Sequence, residues 1–364
     1  MTKTAVVLFN LGGPDSLEAV QPFLFNLFND PAIISLPGPL RWLVAKLASR
    51  RRTPFAQDIY RQMGNCSPLL GQTKAQAEAL ERKLEEQRAC VQGVNHTRVF
   101  VAMRYWFPLT EDAVQQVVAY APDHVVLLPL YPQFSSTTAG SSAAAWNRLS
   151  RSAGLSCPTA TLCCYPTDPL FVRAHAQKID ETMRALITDQ SRNLPDVQIL
   201  FSAHGLPKKI IDRGDPYQWQ IEQTAAAVMA CLQSDQFGWN NLDWRVCYQS
   251  RVGPLEWIGP STDDAITEAA AAGKRLVISP IAFVSEHSET LVELDIEYRQ
   301  LAEQNGAAGY LRVPTLGTHA DYISSLARLV TAAGEASAAN RICPASGDRY
   351  CPMDHNQCPA RLAR

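Results

Sequence analysis

A chain of 364 residues exceeds one ordinary domain and suffices for two, each with its own buried core. With 46% hydrophobic and 19% charged residues and a formal net charge of -2, it reads as a soluble globular protein without the field that would gather nucleic acid. No window reaches the roughly 18 uninterrupted apolar residues of a spanning helix, so bilayer contact would be peripheral. The first eleven residues run directly into a turn without the apolar core and cleavage site of a signal peptide, which gives a cytoplasmic expectation. In that compartment ten cysteines suggest buried thiols and a metal site rather than a disulfide framework.

In chain order, the first apolar run, Ala5-Val6-Val7-Leu8-Phe9, ends in Asn10-Leu11-Gly12-Gly13-Pro14 and is expected to be a buried strand. Helical periodicity follows over residues 73–87. Strands are expected at Val99-Phe100-Val101-Ala102-Met103 and at His124-Val125-Val126-Leu127-Leu128, the second running into Tyr131-Pro132-Gln133. A helix over 174–186 precedes Val197-Gln198-Ile199-Leu200-Phe201, which leads into Ser202-Ala203-His204-Gly205. Helices over 220–232 and 261–271, then the strand Leu276-Val277-Ile278-Ser279, continue the alternation. Alternating strands and helices indicate βαβ units with parallel sheets, and in such sheets function gathers at the carboxyl ends of strands.

His204 stands directly after a buried strand and before a glycine, at such an end. Position alone leaves two readings open: a histidine that caps the strand, or a base or metal ligand. The segment from Phe283 to Glu297 reads as a helix beginning near Ser285, which sets Glu286, Glu289, Glu293 and Glu297 on one narrow stripe. A solvated acidic face is the ordinary outcome of such a run. Against it, Leu291 and Leu294 argue for a packed helix, and like charges in register are destabilising unless they serve a cation or a proton. Metal insertion into a macrocycle would use this set, because two pyrrole protons must leave and a hydrated dication must shed water.

Five segments together resemble the ferrochelatase family, in its order and over about residues 4–330. They are Asn10-Leu11-Gly12-Gly13-Pro14, Arg104-Tyr105, Tyr131-Pro132-Gln133, Ser202-Ala203-His204-Gly205-Leu206-Pro207, and the stretch from Phe283 to Tyr298. The resemblance implies an α/β fold of two Rossmann-like lobes with parallel four-stranded sheets, as in class II chelatases, plus a cysteine-containing tail. It implies insertion of Fe(II) into protoporphyrin IX to give protoheme and two protons, the final step of heme biosynthesis. His204 and Glu289 then correspond to the pair between which the porphyrin nitrogens and the substrate iron sit, and Glu286, His287 and Glu293 extend the path. Glu286 departs from the aspartate of animal members, and the family carries a π-bulge in this helix. Leu11, Arg104, Tyr105, Tyr131 and Phe283, with Trp106, would line the porphyrin pocket. Leucine rather than tyrosine at position 11 favours protoporphyrin over coproporphyrin.

The implied organisation is a first lobe over 1–165, a second lobe over 166–318 with the histidine and the acidic helix, a helix over 319–335 returning to the first lobe, and a tail over 336–364. Residues 33–44, apolar and proline-broken, lie before Arg50-Arg51-Arg52, and the stretch at about 33–52 corresponds to the family's active-site lip. Such a lip suits peripheral membrane contact and porphyrin hand-over from protoporphyrinogen oxidase. Cys343, Cys351 and Cys358 are separated by seven and six residues in a tail too polar for a core. By resemblance they would hold a 2Fe-2S cluster, with Cys157 as fourth ligand; a zinc site using His355 or plain thiols are the alternatives. Competing functions are a coproporphyrin or other divalent-metal chelatase, and a non-catalytic heme or porphyrin sensor. A nucleotide enzyme is disfavoured, because Gly12-Gly13-Pro14 forms neither common phosphate loop.

Overall fold

The computed structural model describes residues 2–89, 95–186, 194, 196–251, 253, 255–335, 342–343 and 349–360. The chain divides into two compact units: Met1–Cys164, Leu326–Tyr350 and Pro359–Arg364 form one, Tyr165–Ser325 and Cys351–Cys358 the other. In the first, β1 (Thr2–Asn10), α1 (Val20–Phe28), α2 (Gly38–Gln62), α3 (Leu69–Ala89), β2 (Asn95–Met103), α4 (Thr110–Tyr120), β3 (His124–Pro129), α5 (Ala139–Ser152) and β4 (Thr159–Leu162) succeed one another. In the second come α6 (Pro169–Arg184), β5 (Val197–His204), α7 (Lys208–Asp212), α8 (Tyr217–Gln233), β6 (Asp243–Gln249), α9 (Thr262–Ala271) and β7 (Arg275–Pro280). A π-helix (Glu289–Glu297), α10 (Tyr298–Gln304) and β8 (Gly309–Arg312) follow, then α11 (Ala320–Glu335), which spans the division, and the two-residue β9 (Ile342–Cys343) of the first unit.

Both sheets are parallel. The second has the expected four strands in the order β6-β5-β7-β8, and the first has four in the order β2-β1-β3-β4 with β9 added at the β4 edge. The central strands β1 and β5 are buried almost throughout because both faces are covered by helices, which is why they carry unbroken apolar runs. In the first unit Val7, Phe9, Phe100, Leu127 and Trp146 pack together, and in the second Leu200, Ile266, Ile278, Leu294 and Tyr298 do so. Sequence chemistry marks the helix starts: Asp168 accepts from the backbone N–H of Leu170 and Phe171 ahead of Pro169, and Ser261 accepts from that of Asp264.

Residues 38–62, expected in part as a proline-broken stretch, form one long helix. Pro37 and Pro39 mark its start, where a missing N–H costs nothing. Among the described residues no helix is long and apolar enough to cross a membrane.

Candidate active site

His204 is the last residue of β5 and is in register with Gln249, the last of β6. The chain leaves this edge through Gly205, whose N–H donates to the Gln249 carbonyl at 2.8 Å. A Cβ at 205 would stand 2.9 Å from that same oxygen, so only glycine allows so close an approach to β6. The Tyr217 hydroxyl donates to the His204 carbonyl at 3.1 Å, leaving the ring about 40% exposed at the end of the sheet.

The acidic segment winds differently from the expected α-helix. Residues 281–287 are turns and loop, and the π-helix begins at Glu289, its winding marked by the Tyr298 N–H reaching back five residues to the Glu293 carbonyl. Glu289 and Glu293 remain neighbours on its inner face, while Glu297 is exposed at its end. In an α-helix, at about 100° per residue, position 298 would turn away from 293. Here the Tyr298 hydroxyl lies 3.1 Å from Glu293 Oε1.

His204 Nδ1 and Glu289 Oε2 are 2.8 Å apart. This corrects the arrangement expected from the resemblance, in which the pair faced each other across the macrocycle: a hydrogen bond leaves no space for a ring, so the two form one wall. Partial burial works against the imidazolium, but the charge and hydrogen bond of Glu289, helped by Glu293, outweigh it and hold the His204 pKa above its ordinary value. Burial opposes the charge on Glu289, and His204, His287 and Ser250 overcome it, keeping this carboxyl well below the usual range. Glu293 moves the other way, raised by burial and by the charge of Glu289 despite hydrogen bonds from Ser250 and Gln249.

Four polar contacts converge on Glu293. Oε1 lies 3.0 Å from the Ser250 N–H and 3.1 Å from the Tyr298 hydroxyl, and Oε2 lies 2.7 Å from Ser250 Oγ and 3.0 Å from Gln249 Nε2. Ser250 holds this position at φ 61°, in the left-handed region that non-glycine residues seldom enter. Gln249 is oriented in turn by Ser202 Oγ, which donates to its Oε1 at 2.8 Å.

Other expected path residues are placed elsewhere. Glu286 precedes the helix and is held by Arg312 at 2.7 Å and by the Thr315 N–H at 3.0 Å, and Arg312 also grips Asp295 through two bonds of 2.7 and 2.8 Å. Burial opposes the Glu286 charge, but Arg312 prevails and lowers its pKa. Glu286 thus belongs to an ion-pair clamp rather than to the row beside His204. His287 is buried, donates from Nδ1 to the Ser285 carbonyl at 3.1 Å, and meets the Phe283 ring at 4.6 Å.

In the first unit, Leu11 and Trp106 pack against the cluster of Val20, Phe23, Leu24, Tyr60 and Tyr105. Gly12, at φ 84°, lets the loop pass Trp106: a Cβ there would be 2.8 Å from its backbone nitrogen. Arg104 and Tyr105 converge on buried Asp30, whose Oδ2 accepts from Arg104 at 2.7 Å, Tyr105 at 2.8 Å and Ser141 at 2.6 Å. Tyr131 packs partly buried against the core beside Trp146.

Among the described residues no three His, Cys, Asp or Glu side chains gather to hold a metal ion. Leu162 pairs with Cys343, so Cys163 follows that point directly, whereas Cys157 lies five residues upstream, about 16 Å along an extended chain. Cys157 therefore cannot join Cys343 as a cluster ligand, and burial raises its thiol pKa. Cys351 and Cys358 are buried in the second unit, with Gln220 Nε2 3.1 Å from Cys351 Sγ. Of Cys343 only the backbone is described, and residues 336–341, 344–348 and 361–364 of the expected tail lie outside the described residues.

Gln249, Ser250, Tyr298, Asp30 and Arg312 were not expected as site residues. For Gln249 and Ser250 the available signal was a polar pair closing an apolar strand, Val246-Cys247-Tyr248.

The family model described as Ferrochelatase matches residues 3–333. A protein of Caulobacter vibrioides named ferrochelatase is 51% identical over 360 residues, covering 99% of this chain and 98% of its own length. One of Pelagibacter ubique with the same name is 46% identical over 357 residues, covering 98% of each. Among solved structures, SirB from Bacillus subtilis with Fe3+ superposes with a TM-score of 0.51 at 12% identity, over 93% of this chain and 96% of that one, a likeness of fold. Nearly full-length matches at such identities carry one conclusion: the chain belongs to the ferrochelatase family.

Proposed function

We propose that the protein is the ferrochelatase of heme synthesis, inserting Fe(II) into protoporphyrin IX. The observation that carries this reading is the His204–Glu289 hydrogen bond at the carboxyl edge of the second sheet. With Nδ1 donating to the carboxylate, the neutral imidazole keeps a lone pair on Nε2. That nitrogen accepts a pyrrole proton as iron enters, and Glu289 stabilises the resulting imidazolium, the sense in which it raises the His204 pKa. Glu293, raised where Glu289 is lowered, is the next acceptor for a proton. Leu11, Arg104, Tyr105, Tyr131 and Phe283 are proposed porphyrin contacts, Leu11 favouring protoporphyrin. Anaerobic iron insertion by wild type and His204→Ala, with protoporphyrin and coproporphyrin, tests the reading. Porphyrin binding without metallation by wild type would make the protein a sensor, and full activity of His204→Ala would remove the base.

A 2Fe-2S cluster on Cys343, Cys351 and Cys358 is proposed as a resident group. Its support is the burial of Cys351 and Cys358 and an amide donor on Cys351, which suits a thiolate acceptor. Such a cluster would supply redox-active iron, and no step of insertion passes through it. A colourless, iron-free sample after anaerobic purification would end this proposal.

A cytoplasmic place against the membrane, with porphyrin received from protoporphyrinogen oxidase, is proposed from α2. Its Leu40, Trp42, Leu43, Leu47 and Phe55 are each between 46% and 61% exposed, beside Lys46 and Arg50-Arg51-Arg52, and residues 31–57 contain no acid. Sedimentation with anionic vesicles, lost in Leu43→Asp/Leu47→Asp, is the expected outcome.

A further inference from the structure

The acidic row was expected to run along its helix to Glu297, yet the hydrogen bonds leave Glu293 in another direction. The Tyr298 hydroxyl lies 3.1 Å from Glu293 Oε1 and 2.9 Å from Asp263 Oδ1, and Asp263 is exposed in the first turn of α9. A phenol has one proton and cannot donate to two carboxylates at once. Three oxygens in a row are all satisfied when Glu293 carries a proton on Oε1, donates it to the Tyr298 oxygen, and Tyr298 donates to Asp263. The remaining donors on Glu293 fit the same state: Ser250 Oγ and Gln249 Nε2 serve Oε2, and the Ser250 N–H serves Oε1.

We propose that Tyr298 and Asp263 form the exit by which a proton on Glu293 reaches solvent during metal insertion. The proposal rests on the reading of His204 as the pyrrole base. In the step, the Glu293 O–H bond breaks as the Tyr298 oxygen gains that proton, and the original Tyr298 proton passes to Asp263. One proton moves outward and no phenolate forms. Burial, with Glu293 and Asp263 on either side, pushes the phenol pKa far up, so the two transfers are concerted. Ser250 Oγ, bonded to Glu293, also helps to lower Glu289, and because its one proton serves a single carboxylate at a time it links the two by turning between them. The groups facing Glu293 are therefore Glu289 and Tyr298 along its own helical run, His204 from β5, Gln249 and Ser250 from the end of β6, and Asp263 through the phenol. Nearby Arg251 pairs with Asp264, not with Asp263.

The experiment compares kcat for iron insertion in the full-length protein, wild type against Tyr298→Phe, Asp263→Asn and the double variant. Each single variant is expected to lose about tenfold or more, with the porphyrin KM unchanged, and the double variant to be no slower than the worse single one. A small buffer acid–base such as imidazole, at rising concentration, is expected to restore part of the lost rate, which a purely structural defect would not allow. Asp263→Asn changes an exposed residue and keeps the test open should Tyr298→Phe fold poorly. Wild-type rates in both single variants, losses that multiply, losses insensitive to buffer, or a loss confined to Glu297→Gln would overturn the exit. Wild-type turnover is the control: without it the functional reading fails, and with it only the relay is at stake.

Discussion

The carboxyl edges of the two sheets spend their ionisable side chains in opposite ways. In the first unit a single buried carboxylate, Asp30, gathers a guanidinium, a phenol and a serine hydroxyl on one oxygen. One guanidinium and two hydroxyl donors meet its charge. In the second unit two carboxylates and an imidazole share one region, with Glu289 lowered and Glu293 raised by their mutual arrangement. Splitting the pKa values of neighbouring groups is how a fold assigns acid and base roles, so the proposed proton traffic belongs to the second edge, while Asp30 at the first fixes the positions of Arg104 and Tyr105.

Substitution should separate these roles. Glu289→Gln keeps the shape but removes the charge that supports the imidazolium, and kcat for iron insertion is expected to fall by about 10²- to 10³-fold with little change in melting temperature. Asp30→Ala should do the reverse. It strands Arg104 and two hydroxyls, costing about 3 kcal/mol of unfolding free energy by denaturant titration, while kcat of the folded fraction at saturating porphyrin stays within a few-fold and the loosened Arg104 and Tyr105 show in a raised porphyrin KM. An Asp30→Ala protein of full stability and greatly reduced kcat would break the comparison.

Glu286 tests where the boundary between the two behaviours lies. The sequence aligns it with Glu289 and Glu293 on α-helical spacing, but the structure binds it to Arg312 and the Thr315 N–H. Glu286→Gln weakens a charge-assisted contact, and a loss of about 2 kcal/mol in stability is expected, with turnover falling only as folded protein falls. A large loss of kcat in stable Glu286→Gln protein would return this residue to the proton path.

What could be read in advance follows from burial. The strands β1, β3, β5 and β7 announce themselves as apolar runs because they are covered on both faces, whereas β4 and β8 are only four residues long and β6 opens with the exposed Asp243-Trp244. His204 was legible as a histidine closing such a run, and Glu289 through the family pattern. The misplacement of Glu286 arose because an ideal α-helical period was extended back to Ser285, while the helix begins later and is wound with five-residue bonds. Tyr298 escaped notice for the same reason, since only π winding sets it against Glu293. Cys157 lies in a loop before Pro158, and the register of β4 with β9, which pairs Leu162 with Cys343, cannot be seen in spacing.

A second histidine gives the smallest and cleanest contrast. His175 on α6 is buried against Phe171, with their rings 4.8 Å apart, and its Nε2 has no hydrogen-bond partner among the described residues. Burial first, and then His319, push its pKa down to about 3, opposite in direction to His204. Between its ordinary pKa near 6.5 and that value, the unfolded chain binds a proton that the native state refuses. Stability therefore falls as pH drops through this window, by up to about 1.4 kcal/mol per pH unit from this group, and the added cost ends below the folded value. His175→Leu removes the group without leaving a polar atom unpaired. Its unfolding free energy, measured by denaturant titration from pH 7 to 4, is expected to decline less steeply than that of wild type, since the acid-sensitive carboxylates contribute equally to both. Parallel curves would mean that His175 takes up its proton in the native state, and the buried neutral histidine would have to be abandoned.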